Sequence, residues 1–414
     1  MRATIVLLTL LLSACSEEQP TARKPAPAAE AVSQAEELAK QYLIVDTHID
    51  VPYRIKRSQE DISEATQKGQ FDYPRALRGG LNAPFMSIYI PASVDAEGGA
   101  KALADELIDL MERVVADSPQ KFALAYSTDQ VRQNFADGKI SLPLGMENGA
   151  PIEGKLENVQ YFYDRGIRYI TLAHSRSNHI SDSSYDENRQ WKGLSEFGRQ
   201  LIAEMNRVGI MVDVSHLSDE AFYQVMELSK VPVIASHSSA RHFTPGFERN
   251  MDDAMIKLLG SRGGVIQILF GSGYISATSR ARSAESREAI QKHFEEQGLS
   301  ADSEEGRAFL AKYREEHPYP YATLADLLDH FDHVVGLVGV QHVGIGSDFD
   351  GVGDTMPPGI KDVSQYPNLI EGLLNRGYSE ADIEKILAGN LMRVWRQVED
   401  FAAQQASADQ KTSP

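Results

Sequence analysis

The sequence predicts an α/β protein folded as a (β/α)8 TIM-like barrel. Eight apolar runs of strand length recur along the chain, at 43–47, 85–90, 142–146, 168–172, 210–214, 231–235, 264–269 and 342–347. Segments of helical period separate most of them, and strands alternating with helices pair in parallel. There is no internal repeat and no natural split into two domains, so eight such units suggest one closed barrel.

Two of the intervening helices are well marked. In 101–115, Leu103, Leu107, Leu110, Met111 and Val114 form one apolar side. In 195–208, Phe197, Leu201, Ile202 and Met205 do the same. A long charged stretch, 276–316, separates the seventh and eighth runs. It reads as a helical insertion beside the barrel mouth, most simply a solvated hairpin, with a lid or an oligomer contact as the other readings.

The ends of the chain are read differently. Residues 1–14 have the form of a signal segment: Arg2, then an apolar stretch too short to span a bilayer. Leu12-Ser13-Ala14-Cys15 resembles the lipobox of bacterial lipoproteins, which makes Cys15 the expected lipidation site. Ser16 in place of aspartate points to the outer membrane of a bacterial envelope, facing the periplasm. Residues 15–34, rich in Pro, Ala and Glu, read as a flexible tether. The barrel is expected over 35–404 and a frayed polar tail over 405–414.

Composition narrows the function. A net charge of −18 with no block of Lys and Arg argues against nucleic acid and against a polybasic membrane contact. Membrane association is therefore expected through the lipid alone. Cys15 is the sole cysteine, so any metal must be held by His, Asp and Glu.

Functional groups of such barrels gather at the C-terminal ends of the strands. His48 and Asp50 follow the first run, Glu147 the third, His174 the fourth, His216 the fifth, His237 the sixth and Asp348 the eighth. A polar residue at any single strand end is commonplace. Six ends together would crowd charge into one mouth, and cations relieve that. His48 and Asp50 are two apart, the spacing that places both on one strand face. The nitrogen and oxygen donors suit zinc, with manganese or cobalt as alternatives. The set exceeds what one four-coordinate catalytic ion needs, so two ions sharing a carboxylate is the economical arrangement.

The chain resembles the membrane dipeptidase (renal dipeptidase) family of metal-dependent hydrolase barrels from about residue 42 to 398. The resemblance rests on Asp46-Thr47-His48-Ile49-Asp50-Val51-Pro52, Gly145-Met146-Glu147-Asn148-Gly149, Val212-Asp213-Val214-Ser215-His216, Ser236-His237-Ser238-Ser239-Ala240, Arg249-Asn250 and Gly346-Ser347-Asp348-Phe349-Asp350-Gly351. It implies that His48 and Asp50 bind one zinc, His216 and His237 the other, and that Glu147 bridges both. It implies His174 over the reacting carbonyl, Arg249 on the substrate's terminal carboxylate and Asp348 as proton shuttle. The implied reaction is hydrolysis of L-L dipeptides, with L-D dipeptides as a further expected substrate, by a hydroxide held between the ions, and a homodimer is the family expectation. The chain lacks the disulfides and C-terminal lipid-anchor signal of animal members, and its 175–186 loop looks bacterial. His179 in that loop is expected to make a loop hydrogen bond rather than touch substrate. The alternatives are an amidohydrolase acting on lactones or β-lactams, and a catalytically dead envelope lipoprotein.

Overall fold

A computed structural model describes residues 33–412. Residues 1–14, Cys15 and nearly all of the 15–34 tether lie outside the described residues. Eight strands form one sheet in sequence order: β1 Val45–Ile49, β2 Ala83–Tyr89, β3 Leu144–Glu147, β4 Ile167–Thr171, β5 Met211–Asp213, β6 Ile234–Ser238, β7 Val265–Ile268 and β8 Val343–Ile345. Every pairing is parallel. The sheet curls toward closure just beyond β8, where Asp348 N donates to His48 O at 3.1 Å and Asp50 N to Phe349 O at 2.9 Å. Asp46 fastens the same seam: its carboxylate accepts from His48 N and Ser347 N, each at 3.0 Å, and from the Tyr366 hydroxyl.

The strands pack Val45, Phe85, Tyr169, Met211, Ile234 and Val265 against Leu391, Met392 and Trp395 of the long C-terminal helix Asn390–Thr412. Phe85 is the hub, with its ring 5.5 Å from Tyr169 and 5.2 Å from Trp395. Burying an aromatic of this size contributes roughly 3 kcal/mol or more.

Several boundaries differ from the sequence reading. The third run is broken by Pro143, which has no N–H for a ladder. Leu142 belongs instead to a two-stranded side sheet of Phe122–Leu124 and Ile140–Leu142, which the sequence reading missed. The sixth strand starts later than expected, so His237 lies within it. The expected frayed tail is corrected: the helix continues to Thr412, because Ala, Gln and Lys there are strong helix formers. The 276–316 insertion is a pair of helices, Ala277–Gln297 and Glu304–Glu316, burying only Ser279, Ser283 and Gly306. No helix among the described residues is long and apolar enough to cross a membrane.

One buried histidine pins the loop after β6. His330 is on the helix Leu324–Val338, whose first turn is closed by a capping box between Thr323 and Asp326. Its Nδ1 accepts from Ala240 N at 3.0 Å, and its Nε2–H donates to Ile275 O at 3.1 Å. Burial pushes its pKa down to about 4. A histidine kept neutral in the fold but free to protonate when unfolded stabilises fully above about pH 6.5. That contribution, up to about 3 kcal/mol, is lost as pH falls toward 4. The stability gap between wild type and His330→Gln, measured by urea unfolding, should therefore narrow between about pH 7 and pH 4.5. A gap independent of pH would show that His330 is not held neutral.

Candidate metal centre

The strand ends converge on one cavity of about 1240 Å³, whose wall includes Asp50, Glu147, His174, His216 and Asp348. His48 sits within β1, and Asp50 is the residue that starts the helix Val51–Ser58. The two do meet, with His48 Nε2 3.4 Å from Asp50 Oδ2. Strand alternation is not the cause, because Asp50 has already left the strand. His216 and Asp348 have left-handed backbones, with φ of 69° and 63°. Such conformations cost about 1 kcal/mol or more in residues other than glycine and persist only where the surroundings impose them. Here the Asp348 N–H is held by His48 O, and His216 O accepts from Ser184 N at 2.8 Å.

Glu147 stands at the centre, and its two oxygens face different partners. Oε2 lies 3.5 Å from His48 Nε2. Oε1 lies 3.2 Å from both His216 Nε2 and His237 Nε2, and 3.5 Å from His174 Nε2. The Nε2 atoms of His216 and His237 are 2.9 Å apart. Asp50, Asp348 and His48 form a second group of donor atoms beside the first. Gly351 leaves room for them: a Cβ there would come within 2.1 Å of Asp348 Oδ1 and 2.3 Å of Asp50 Oδ2.

Protonation favours ligation at most of these positions. Burial, reinforced by the Arg249 charge and by neighbouring imidazoles, holds His216 and His237 well below the ordinary imidazole value. Both are therefore neutral and carry a lone pair. Burial alone would raise the Glu147 carboxyl; the His174 and His48 imidazoles outweigh it and hold the group well below its usual range. For His48, burial opposes the charged form, but Tyr169, Glu147 and Asp50 raise it well above the usual value, so a cation there would displace a proton. Burial and then the Asp50 charge push Asp348 well up, and burial lowers His174.

The donor set fits divalent cations. His48 Nε2 and Asp50 Oδ1 are buried without a hydrogen-bond partner, and both belong to the converging groups. Only nitrogen and oxygen are offered.

The residues behind the ligands were not foreseen. Tyr169 OH meets His48 Nδ1 at 2.8 Å. Asp213 is fully buried and accepts four hydrogen bonds, from Ser215 N at 3.1 Å, Ser236 N at 2.7 Å, Ser236 Oγ at 2.6 Å and the Thr171 hydroxyl. Because the Ser236 hydroxyl spends its proton on Asp213, it can only accept from His237 Nδ1–H, 2.8 Å away. The tautomer with a bare Nε2 follows, and that nitrogen faces Glu147. The signal was present in the chain: Asp213 and Ser236 lie three and one residues before the ligands His216 and His237.

Two further expectations are placed. Arg249 is buried behind the cavity wall rather than on it. It donates to Ser238 Oγ at 2.9 Å and His237 O at 2.7 Å, with Nη2 3.0 Å from His216 Nε2 and Nε without a partner. His179 Nε2 accepts from Gly154 N at 3.1 Å, as a loop bond should, and is not on the cavity wall.

This fold and this mouth define a metal-dependent hydrolase barrel. Residues 32–409 match the family model described as Membrane dipeptidase (Peptidase family M19), and the chain belongs to that family of metallo-dipeptidases. Dipeptidase 3 of Mus musculus is 31% identical over 375 residues, 88% of this chain and 66% of the mouse protein, so the chain spans about two thirds of that relative. The probable dipeptidase PvdM from Pseudomonas aeruginosa superposes with a TM-score of 0.76 at 29% identity, covering 89% of this chain and 98% of that one. A metallo peptidase from Rhodobacter sphaeroides, solved with a phosphinate mimic of the dipeptide L-Ala-D-Ala, has a TM-score of 0.71 at 25% identity, covering 86% and 99%.

Replacing Asp213 with Asn should turn the Ser236 hydroxyl toward His237 and protonate its Nε2. Zinc affinity, measured by competition with a chromophoric chelator, should fall about 10–100-fold in Asp213→Asn. Unchanged affinity would mean that the relay does not set the tautomer.

Proposed function

We propose that this chain binds two zinc ions and hydrolyses dipeptides with a free C-terminal carboxylate, at a bacterial envelope to which Cys15 anchors it. The observation that carries the reading is the division of Glu147 between His48 and the pair His216 and His237. His48, Asp50 and Glu147 would hold one ion, and His216, His237 and Glu147 the other. When bound, such ions polarise the scissile carbonyl and lower the pKa of water to ~7.

The chain's own residues supply the rest. Asp348, pushed up by burial and by Asp50, is poised to take a proton from the attacking water and return it to the leaving nitrogen. His174 stands on the cavity wall as a neutral imidazole with an N–H to give the developing oxyanion. Arg249 keeps an unpartnered Nε beside Tyr274, whose ring centre is 5.8 Å from the guanidinium carbon. We assign it the substrate carboxylate, by a charge-assisted hydrogen bond made when the guanidinium turns past Tyr274 into the cavity. The L-Ala-D-Ala mimic on the Rhodobacter sphaeroides relative supports a D-residue at the C-terminal side here as well.

The test is hydrolysis of a panel of L-L and L-D dipeptides by the mature chain. A chelator should abolish turnover and zinc restore it. In Arg249→Ala, at matched zinc content, KM should rise about 10–100-fold with a smaller change in kcat. Turnover unaffected by the chelator would overturn the metal mechanism. Unchanged kinetics in Arg249→Ala would favour a lactone or β-lactam substrate without that carboxylate. For the anchor, Cys15→Ser should move the protein from the membrane to the soluble fraction; retention in the membrane would remove lipidation at Cys15 from the account.

A further inference from the structure

A second cluster of metal-ligand type lies outside the centre described above and shares no residue with it. His242 is in the short turn Arg241–Phe243, Asp253 opens the helix Asp253–Ser261, and His333 is on the helix Leu324–Val338. Their donor atoms all fall within 4.8 Å of one another. His333 Nε2 is 2.7 Å from Asp253 Oδ1, and the rings of His242 and His333 stack with centroids 4.4 Å apart. Two neighbouring elements and a helix 80 residues further along the chain thus bring two imidazoles and a carboxylate to one point.

No arginine or lysine among the described residues pairs with the carboxylate at that point. Arg241 is engaged by Asp219 at 2.8 Å and by Asn250 O at 2.7 Å. Arg376 is engaged by Asp329 at 2.7 Å and by Asp332. The ion pair of Asp253 is with His333. A divalent ion would draw both rings and the carboxylate onto one centre.

We propose that His242, Asp253 and His333 form a third divalent-cation site, of zinc type, which fastens the loop carrying Arg249 to the helix Leu324–Val338. Two histidines, one carboxylate and a water complete a four-coordinate zinc shell. With bonds of about 2.0–2.1 Å, ligand atoms in such a shell sit about 3.4 Å apart. The cluster reaches this by shifts of about 1 Å, which its partly exposed side chains allow. The consequence for the fold is local. The loop between β6 and the helix Asp253–Ser261 is closed at its base by Met251 N to Ser239 O at 3.0 Å and Arg241 N to Met251 O at 2.8 Å. Phe243 already rests on His330 and His333, at 4.4 and 5.5 Å. An ion between His242 and His333 would lock the turn next to Phe243 onto the same helix. Arg249 sits within that loop, so the site would tune how firmly the buried guanidinium is held.

The test is calorimetric titration of Zn2+ alone into the mature chain, after its tightly bound zinc has been loaded and free zinc removed. Wild type should take up one further equivalent. Its affinity should fall at least tenfold in His242→Ala and in Asp253→Asn, and remain in His293→Ala, a control in the helical insertion. His242 is exposed, so its replacement should leave the fold and the dipeptide turnover at basal zinc unchanged. Absence of a further equivalent in wild type would overturn the proposal. So would an equivalent undiminished in both variants, or one abolished in His293→Ala.

Discussion

Glu147 stands among four imidazoles, and the rest of the mouth is arranged around its charge. A buried carboxylate is costly unless cations or donors surround it. Here Oε1 faces His174, His216 and His237, and Oε2 faces His48. A carboxylate shared in this way places two donor groups side by side, and two ions bridged by one oxygen pair need that arrangement. The barrel serves it by bringing the ends of β1, β3, β5 and β6 to one face. The left-handed backbones of His216 and Asp348 show that local comfort yields to this placement.

His48 and His237 are in turn held by outer partners, and the partners differ. His237 is set by Ser236 and by Asp213, whose acceptor positions are all taken. His48 rests on a neutral phenol, Tyr169. Outer partners of this kind orient the ring and select the tautomer, and losing one weakens a metal site without touching a ligand. The cavity wall carries Arg54, Arg57, Lys68 and Arg176 beside Asp50, Asp348, Asp350 and Glu187. Both signs on one wall suit a zwitterion, the form of a free dipeptide, although the protein as a whole is strongly acidic.

Much of this was legible because barrels put chemistry at strand ends, where residue type alone is informative. His48, Glu147, His174, His216, His237 and Asp348 were found that way. What stayed hidden depends on depth and on three-dimensional neighbours. Asp213, Ser236 and Tyr169 read as ordinary strand residues until their hydrogen bonds are traced. Arg249 was singled out only through the family resemblance, and its burial behind the ligands shows only in the fold. Pro143 was overlooked inside an apolar run, although its missing N–H is what divides the side sheet from β3. The C-terminal tail looked frayed because it is polar, but helix propensity carries it on to Thr412. His242, Asp253 and His333 are brought together only by folding.

The most direct test of the account is anomalous diffraction at the zinc edge from crystals of the zinc-loaded chain. The account expects two peaks at the barrel mouth, ~3.5–4 Å apart, one beside each oxygen of Glu147. A single peak, or zinc bound away from Glu147, would contradict it.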